Sequence, residues 1–253
     1  MLLATRCLGF SREYNKMCYT PPMTGQQLKE ARLRVGWTQQ DAARRLGLTQ
    51  AYLSMLERGR RAASARVARR AQSTLHLPPT VLPVRPQLTA EASAARPVLD
   101  FQRALGALGY PGFAYLRRRQ KRNPAEVLFV ALNQPDLDAR VREALPWLAL
   151  TFPDLAWGWL LRQCKTHDRQ NRLAFVVNLA AEVAQHRSLL EVQRALREVE
   201  TRLEPSRLAN EDTLCHDAMT EAERRWLRHH RSTPAKHWNL LTDLGAEHLA
   251  WAS

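Results

Sequence analysis

Side chains able to do covalent or metal chemistry are few in this sequence and poorly grouped. His167-Asp168, Cys215-His216, and the pair His229-His230 with His237 are the clusters of interest. None falls in an H-E-x-x-H or C-x-x-C metal spacing, a phosphate-cradling P-loop or a nucleophile elbow. Successive residues of a helix point about 100° apart, so His229 and His230 cannot converge on one metal from a regular helix. The expectation is a non-enzyme without metal or cofactor. What the sequence does offer is recognition of a polyanion. Residues 23–75 hold eleven Lys and Arg against three Asp and Glu, a net of +8. Residues 97–253 hold 22 against 19, a net of only +3. Charge concentrated on one segment suits a phosphate-binding module, whereas a generally basic protein would have spread it evenly.

That basic segment must hold its polar groups on helices. From Thr38 to Gly59 the sequence TQQDAARRLGLTQAYLSMLERG reads as two short helices and a tight turn. Thr38, with Asp41 three positions on, forms a variant of the capping box. Ala42, Ala43 and Leu46 share one face, and Gly47 stands where a left-handed C-cap is wanted. Thr49 is a second hydroxyl cap, for a helix that buries Leu53 and Leu56 and ends at Gly59. Helix, four-residue turn with glycine, helix is the layout that lets the second helix enter a DNA major groove. Residues 25–36 read as a preceding helix, with Leu28, Ala31 and Val35 inward and Lys29, Arg32 and Arg34 outward. After Gly59 one more helix is predicted, burying Val67, Ala71 and Leu75. Its Arg66, Arg69 and Arg70 are either a solvated face or extra phosphate contacts.

Thr38-Gln39, Ala43, Leu46-Gly47, Ser54, Leu56 and Glu57-Arg58-Gly59 stand at fixed mutual offsets. On these residues the segment from about 25 to 77 resembles the lambda-repressor-like, Cro/C1-type (xenobiotic-response-element, XRE) helix-turn-helix family. Ala31 and Ala42 occupy places where that family carries larger aliphatic residues, and Trp37 is larger than the usual Leu. The indole is expected to fill the volume the alanines leave. The resemblance implies that Gln50, Ala51, Tyr52, Ser54 and Met55 face the groove, with the Gln50 amide able to read adenine. It implies that Gln39, Arg58, Arg60 and Arg61 lie against phosphate. It further implies a sequence-specific transcriptional regulator, a repressor, acting on double-stranded DNA as a homodimer. Antitoxins of toxin–antitoxin pairs often resemble this family too. The alternative is therefore an antitoxin whose residues 98–253 bind and neutralise a toxin.

The 253 residues leave room for a second domain. Residues 1–22 begin like a secretory leader, but Arg6 breaks the apolar core and no clear cleavage site follows, so a disordered extension, or an artefact of start-codon choice, is expected. Pro78, Pro79, Pro83, Pro86 and Pro97 mark residues 78–97 as a semi-extended linker. Beyond it, successive stretches from VLDFQRALGAL to PAKHWNLLTDL show helical apolar spacing, with Pro, Asn or Asp at the joins. The fold class is all-α: a helix-turn-helix domain and a larger C-terminal helical domain. Leu189, Val192, Leu196, Val199 and Leu203 span only two heptads, so packing within the domain is expected ahead of a dimer seam. Six of the seven tryptophans lie in this half, and Trp226, Trp238 and Trp251 are candidate interface anchors. The run Arg117–Arg122 reads as a solvated loop, with phosphate or an acidic partner as the sharper option. Cys7, Cys18, Cys164 and Cys215 show no pairing pattern, which points to a reduced, cytoplasmic protein. No apolar run approaches the roughly 18 residues that a membrane span needs.

Overall fold

The computed structural model describes residues 23–84, 99–116, 121–249 and 251. The leader, residues 85–97 of the linker and Arg117–Gln120 lie outside the described residues. Four helices form the N-terminal unit: α1 (Gly25–Arg34), α2 (Gln39–Leu46), α3 (Gln50–Glu57) and α4 (Ala65–Thr74). Each begins on a hydroxyl side chain that accepts a backbone N–H of the first turn: Thr24, Thr38, Thr49 and Ser64. Such caps satisfy donors that have no partner inside the helix. Thr24 goes further, because the Gln27 side chain returns to its N–H and completes a capping box. Gly47 closes α2 at φ 66°, and Leu48 N–H then reaches back to the Ala43 carbonyl at 2.8 Å. The left-handed φ is what calls for glycine there; a Cβ would also lie 2.6 Å from the tip of the Arg70 side chain, which can swing aside.

The unit's core joins Leu28 and Ala31 to Ala42, Ala43, Leu46, Leu53, Leu56, Val67, Ala71 and Leu75. Trp37 packs at its edge, half-buried, with the Arg45 guanidinium 4.4 Å above the ring. Two inward and outward assignments reverse. Val35, expected inside, caps α1 and is exposed; Arg32, expected outside, is buried. The cause is a charged partner brought in from α3, described below.

The expected linker also starts later than residue 78. Pro79–Val81 forms a 3-10 turn whose Val81 belongs to the N-terminal core. Asn123 donates to the carbonyls of Thr80 and Leu82 at 3.1 and 2.5 Å, and Thr80 Oγ1 donates to Asp154 at 2.6 Å. Residues 79–82 are therefore a packed joint between the two parts of the chain.

The C-terminal part is built from α5 (Phe101–Leu108), α6 (Pro124–Leu132), α7 (Ala139–Thr151), α8 (Trp157–Thr166), α9 (Gln170–His186) and α10 (Leu190–Leu203). Helix α9 is its axis. Leu173 to Ala181 are buried without a break, as expected of a helix apolar all round, and α7 and α10 pack against it. Leu196, Val199 and Leu203 are buried in this packing, so the leucine repeat serves the domain core. Leu189 stays largely exposed, as does neighbouring Leu190.

After α10 the chain is not uniformly helical. Helix α11 (Glu221–His230) forms as predicted, but the next, α12 (Thr233–His237), lasts five residues. Asn239 then takes φ 51°, and the expected helix over PAKHWNLLTDL gives way to a short strand. Strand β1 (Asp212–Thr213) pairs in parallel with β2 (Leu240–Leu241). Arg172, in the first turn of α9, fixes that pair. Its Nε and Nη2 donate to the two Asp212 carboxylate oxygens at 2.7 Å each, and its Nη1 to the Leu132 and Gln134 carbonyls. Burial pushes the Asp212 carboxyl up, but the bonds from Arg172 prevail and hold it below the usual range. Of the three tail tryptophans, Trp238 is core, Trp251 is half-buried, and Trp226 is exposed, stacked on His230 at 4.3 Å.

Candidate DNA-binding surface

Helix α3 is set in place from three sides. Leu53 and Leu56 anchor it in the core. At its end, Gly25 approaches so closely that a Cβ there would lie 2.1 Å from the Leu56 carbonyl oxygen. Glu57, its last residue, receives Arg32 Nε at 2.7 Å and Nη2 at 3.2 Å, while Arg32 Nη1 donates to the Trp37 carbonyl at 2.8 Å. Arg32 thus clamps α1, the α1–α2 loop and α3 together.

The clamp runs outward to the surface. Gln39 Nε2 donates to Glu57 Oε2 at 2.9 Å, and Gln50 Nε2 donates to Gln39 Oε1 at 3.3 Å. Burial pushes the Glu57 carboxyl up, yet the hydrogen bonds from Arg32 and Gln39 outweigh it and leave its pKa below the ordinary value. The series Arg32–Glu57–Gln39–Gln50 fixes which way both amides face. Gln50 is exposed, and Nε2 is the atom it engages with Gln39. Its 3.3 Å bond is the longest of the series and the easiest to exchange for a base edge.

Of the other residues implied to read bases, Ala51 and Met55 are exposed and Tyr52 is half-buried against the core. Ser54 does not face outward. Its side chain is buried, and its hydroxyl accepts from Arg58 Nη2 at 2.6 Å. Ser54 lies between Leu53 and Met55 on α3, on the boundary of the buried stripe, and the long Arg58 side chain covers it. Arg58 is therefore tethered, whereas Arg60 and Arg61, just past Gly59 (φ 68°), are exposed and form no ion pair among the described residues. Gln39 stands at the first position of α2, where free N–H groups and the helix dipole favour an anion.

Two features of this surface have little or no signal in the sequence. The Arg32–Glu57 pair is one; its only trace is that Arg32 stands four residues after buried Leu28. The other is Arg70, whose Nε donates to the Arg45 carbonyl at 3.0 Å at the end of α2. That bond satisfies a terminal carbonyl and places a cation at the negative end of the helix.

The chemically tempting clusters elsewhere are engaged in structure. His167 Nδ1 pairs with the Gln163 carbonyl at 2.8 Å, and its ring meets Phe129 edge-on. Burial pushes the Cys215 thiol up to about 11, so it is no ready thiolate. His229 and His230 each turn Nδ1 back to the carbonyl four residues before, and His237 pairs with Glu204. Among the described residues no group of three or more His, Cys, Asp or Glu is placed to hold a metal, and no helix is long and apolar enough to cross a membrane.

No curated protein and no solved structure matches the chain. A family model does: residues 28–82 match the helix-turn-helix family HTH_3, a span that runs from Leu28 within α1 through α4 and the turn ending at Val81. The N-terminal part of this chain is a DNA-binding, Cro/C1-type helix-turn-helix domain, followed by a helical region.

Proposed function

We propose that this chain is a sequence-specific transcriptional repressor that reads duplex DNA with α3 and grips the flanking phosphates with the arginines that follow. The observation that carries this reading is the placement of Gln50. Its amide is exposed, at the first position of α3, and is oriented by Gln39 from behind. A pre-aimed amide suits bidentate pairing with adenine, which presents one donor and one acceptor in the major groove. Ala51 and Met55 add short and apolar contacts of the kind that meets a thymine methyl. Arg60 and Arg61 supply the charge, with Gln39 and Arg58 as closer, tethered contacts. In this reading two copies bind half-sites about 34–36 Å apart on one face of the duplex.

The test is selection of bound sites from random duplex DNA by the full-length protein. Enrichment of a palindrome supports both the sequence reading and the dimer. A single enriched half-site keeps the reading and removes the dimer. Recovery of sequences no different from the input overturns the proposal.

A further inference from the structure

Because β1 and β2 run parallel, the chain leaves both strands at the same end, Leu214 after β1 and Thr242 after β2. Between these exits and the first turns of α7 lies a pocket of about 320 Å³. Arg142 and Glu143 reach it from α7, Asp243 and His248 from the tail, and Leu214 and Leu244 form its apolar wall. The walls are fixed. Arg172 holds the strand that leads to Leu214, and Trp251 Nε1 donates to the Glu143 carbonyl at 2.8 Å, fastening the tail to α7. His248 Nδ1 accepts the Gly245 N–H at 3.2 Å and closes the turn at the rim.

The charges in this pocket are left open. Arg142 Nε is shielded from solvent and has no hydrogen-bond partner. Among the described residues none of Arg142, Glu143 and Asp243 enters an ion pair, although both signs line one small concavity. Arg172 is paired with Asp212 and Arg228 with Glu211, whereas Arg169 Nε shares with Arg142 Nε the lack of a hydrogen-bond partner. The Arg142 side chain is half-exposed, and Nε is the one nitrogen of its guanidinium that is shielded without a partner, which is costly unless something else satisfies it. What satisfies a cation and carboxylates held apart is a molecule carrying the two opposite charges. The volume lies at the small end of ligand cavities, which limits the guest to a single small molecule.

We propose that the pocket binds a free α-amino acid with an apolar side chain. Its carboxylate lies on the Arg142 guanidinium, its ammonium on Glu143 and Asp243, and its side chain against Leu214 and Leu244. The proposal is independent of the DNA reading and is tested without DNA. Calorimetric titration of the full chain with leucine, valine, isoleucine, methionine and phenylalanine is expected to give saturable binding for at least one of them. For that amino acid, the amide that lacks the carboxylate and the acid that lacks the ammonium should each bind about tenfold or more weakly. Arg142→Ala and Asp243→Asn should each weaken the amino acid by a similar factor, about tenfold, while Arg142→Lys should lose less than Arg142→Ala. Asp243 is exposed on the rim, so Asp243→Asn carries the test even if Arg142→Ala unfolds. Absence of saturable binding up to about 10 mM, equal binding of the amide or the acid, or unchanged binding by Asp243→Asn would each overturn the proposal.

Discussion

Arg32 and Glu57 stand 25 positions apart in the chain yet meet at 2.7 Å, with only 8% and 3% of their side chains exposed. The pair makes the placement of α3 depend on α1. An ion pair of this kind is weak evidence for stability in itself, since both charges were taken out of water. Its consequence is asymmetric: removing one member strands the other.

Arg32→Ala is therefore expected to cost about 3–5 kcal/mol of unfolding free energy, because Glu57 keeps only the Gln39 amide as donor. Urea unfolding of the full chain measures it. Replacing both members by apolar residues of similar volume should cost far less than the single change. A loss under about 1 kcal/mol for Arg32→Ala would mean that the pair behaves as a solvated surface bridge.

Acid should act through the same residue. Glu57 titrates lower in the folded protein than in the unfolded chain, so folding favours its ionised form. The stability this supplies is fully present above the unfolded carboxyl value, about 4.3, and is lost as pH falls through the folded one. Unfolding free energy should fall as pH drops below about 5, and Glu57→Gln should flatten part of that slope. An unchanged slope would place the acid sensitivity elsewhere, with Asp212 the first alternative, since Arg172 depresses it in the same way.

Base reading and phosphate contact separate by mutation. Gln50→Ala should cost about 1–3 kcal/mol on the selected site and blur one base position. Arg60→Ala should weaken all duplexes alike and lower the slope of log affinity against log salt by about one. Binding across a salt series, on selected and scrambled duplexes, distinguishes the two. If both variants lose affinity with no change in preference, α3 is not the reading helix.

How much of the fold and the surface is legible in the sequence depends on how local each determinant is. Thr38, Gly47 and Thr49 act on residues within three or four positions, so neighbouring residue types are enough to place their caps and the turn. Leu53, Leu56, Val67 and Ala71 follow from helical period alone. Arg32 and Ser54 depart from expectation because each lies at the margin of an apolar stripe, where the partner decides burial. For Arg32 that partner is remote in sequence. For Ser54 it is Arg58, only one turn away but with several rotamers open to it. The strand at Leu240–Leu241 leaves no sequence signal because two residues carry no period, and its pairing with Asp212–Thr213 rests on a guanidinium from α9. At the candidate DNA-binding surface, the exposure of Gln50, Arg60 and Arg61 is legible from their offsets. The hydrogen bonds that aim Gln50 are not, since they pass through Glu57.

Asn123 gives the last prediction, because it does two separable things. Its Oδ1 accepts the Ala125 N–H at 2.9 Å and caps α6, while its Nδ2 holds the carbonyls of Thr80 and Leu82. The side chain is buried, so each group lost carries a cost: about 1–3 kcal/mol for a buried carbonyl left unpaired. Asn123→Asp preserves the cap oxygen but sets a carboxylate oxygen against the two carbonyls. It should release residues 79–82 while α6 keeps its start. Asn123→Ala loses both functions. Amide hydrogen exchange over residues 79–84 and 124–128 separates the outcomes. Asn123→Asp should speed exchange in the first stretch alone, and Asn123→Ala in both. If Asn123→Asp leaves the first stretch protected, the joint is held by Val81 in the N-terminal core and by Thr80 on Asp154, and Asn123 is only a helix cap.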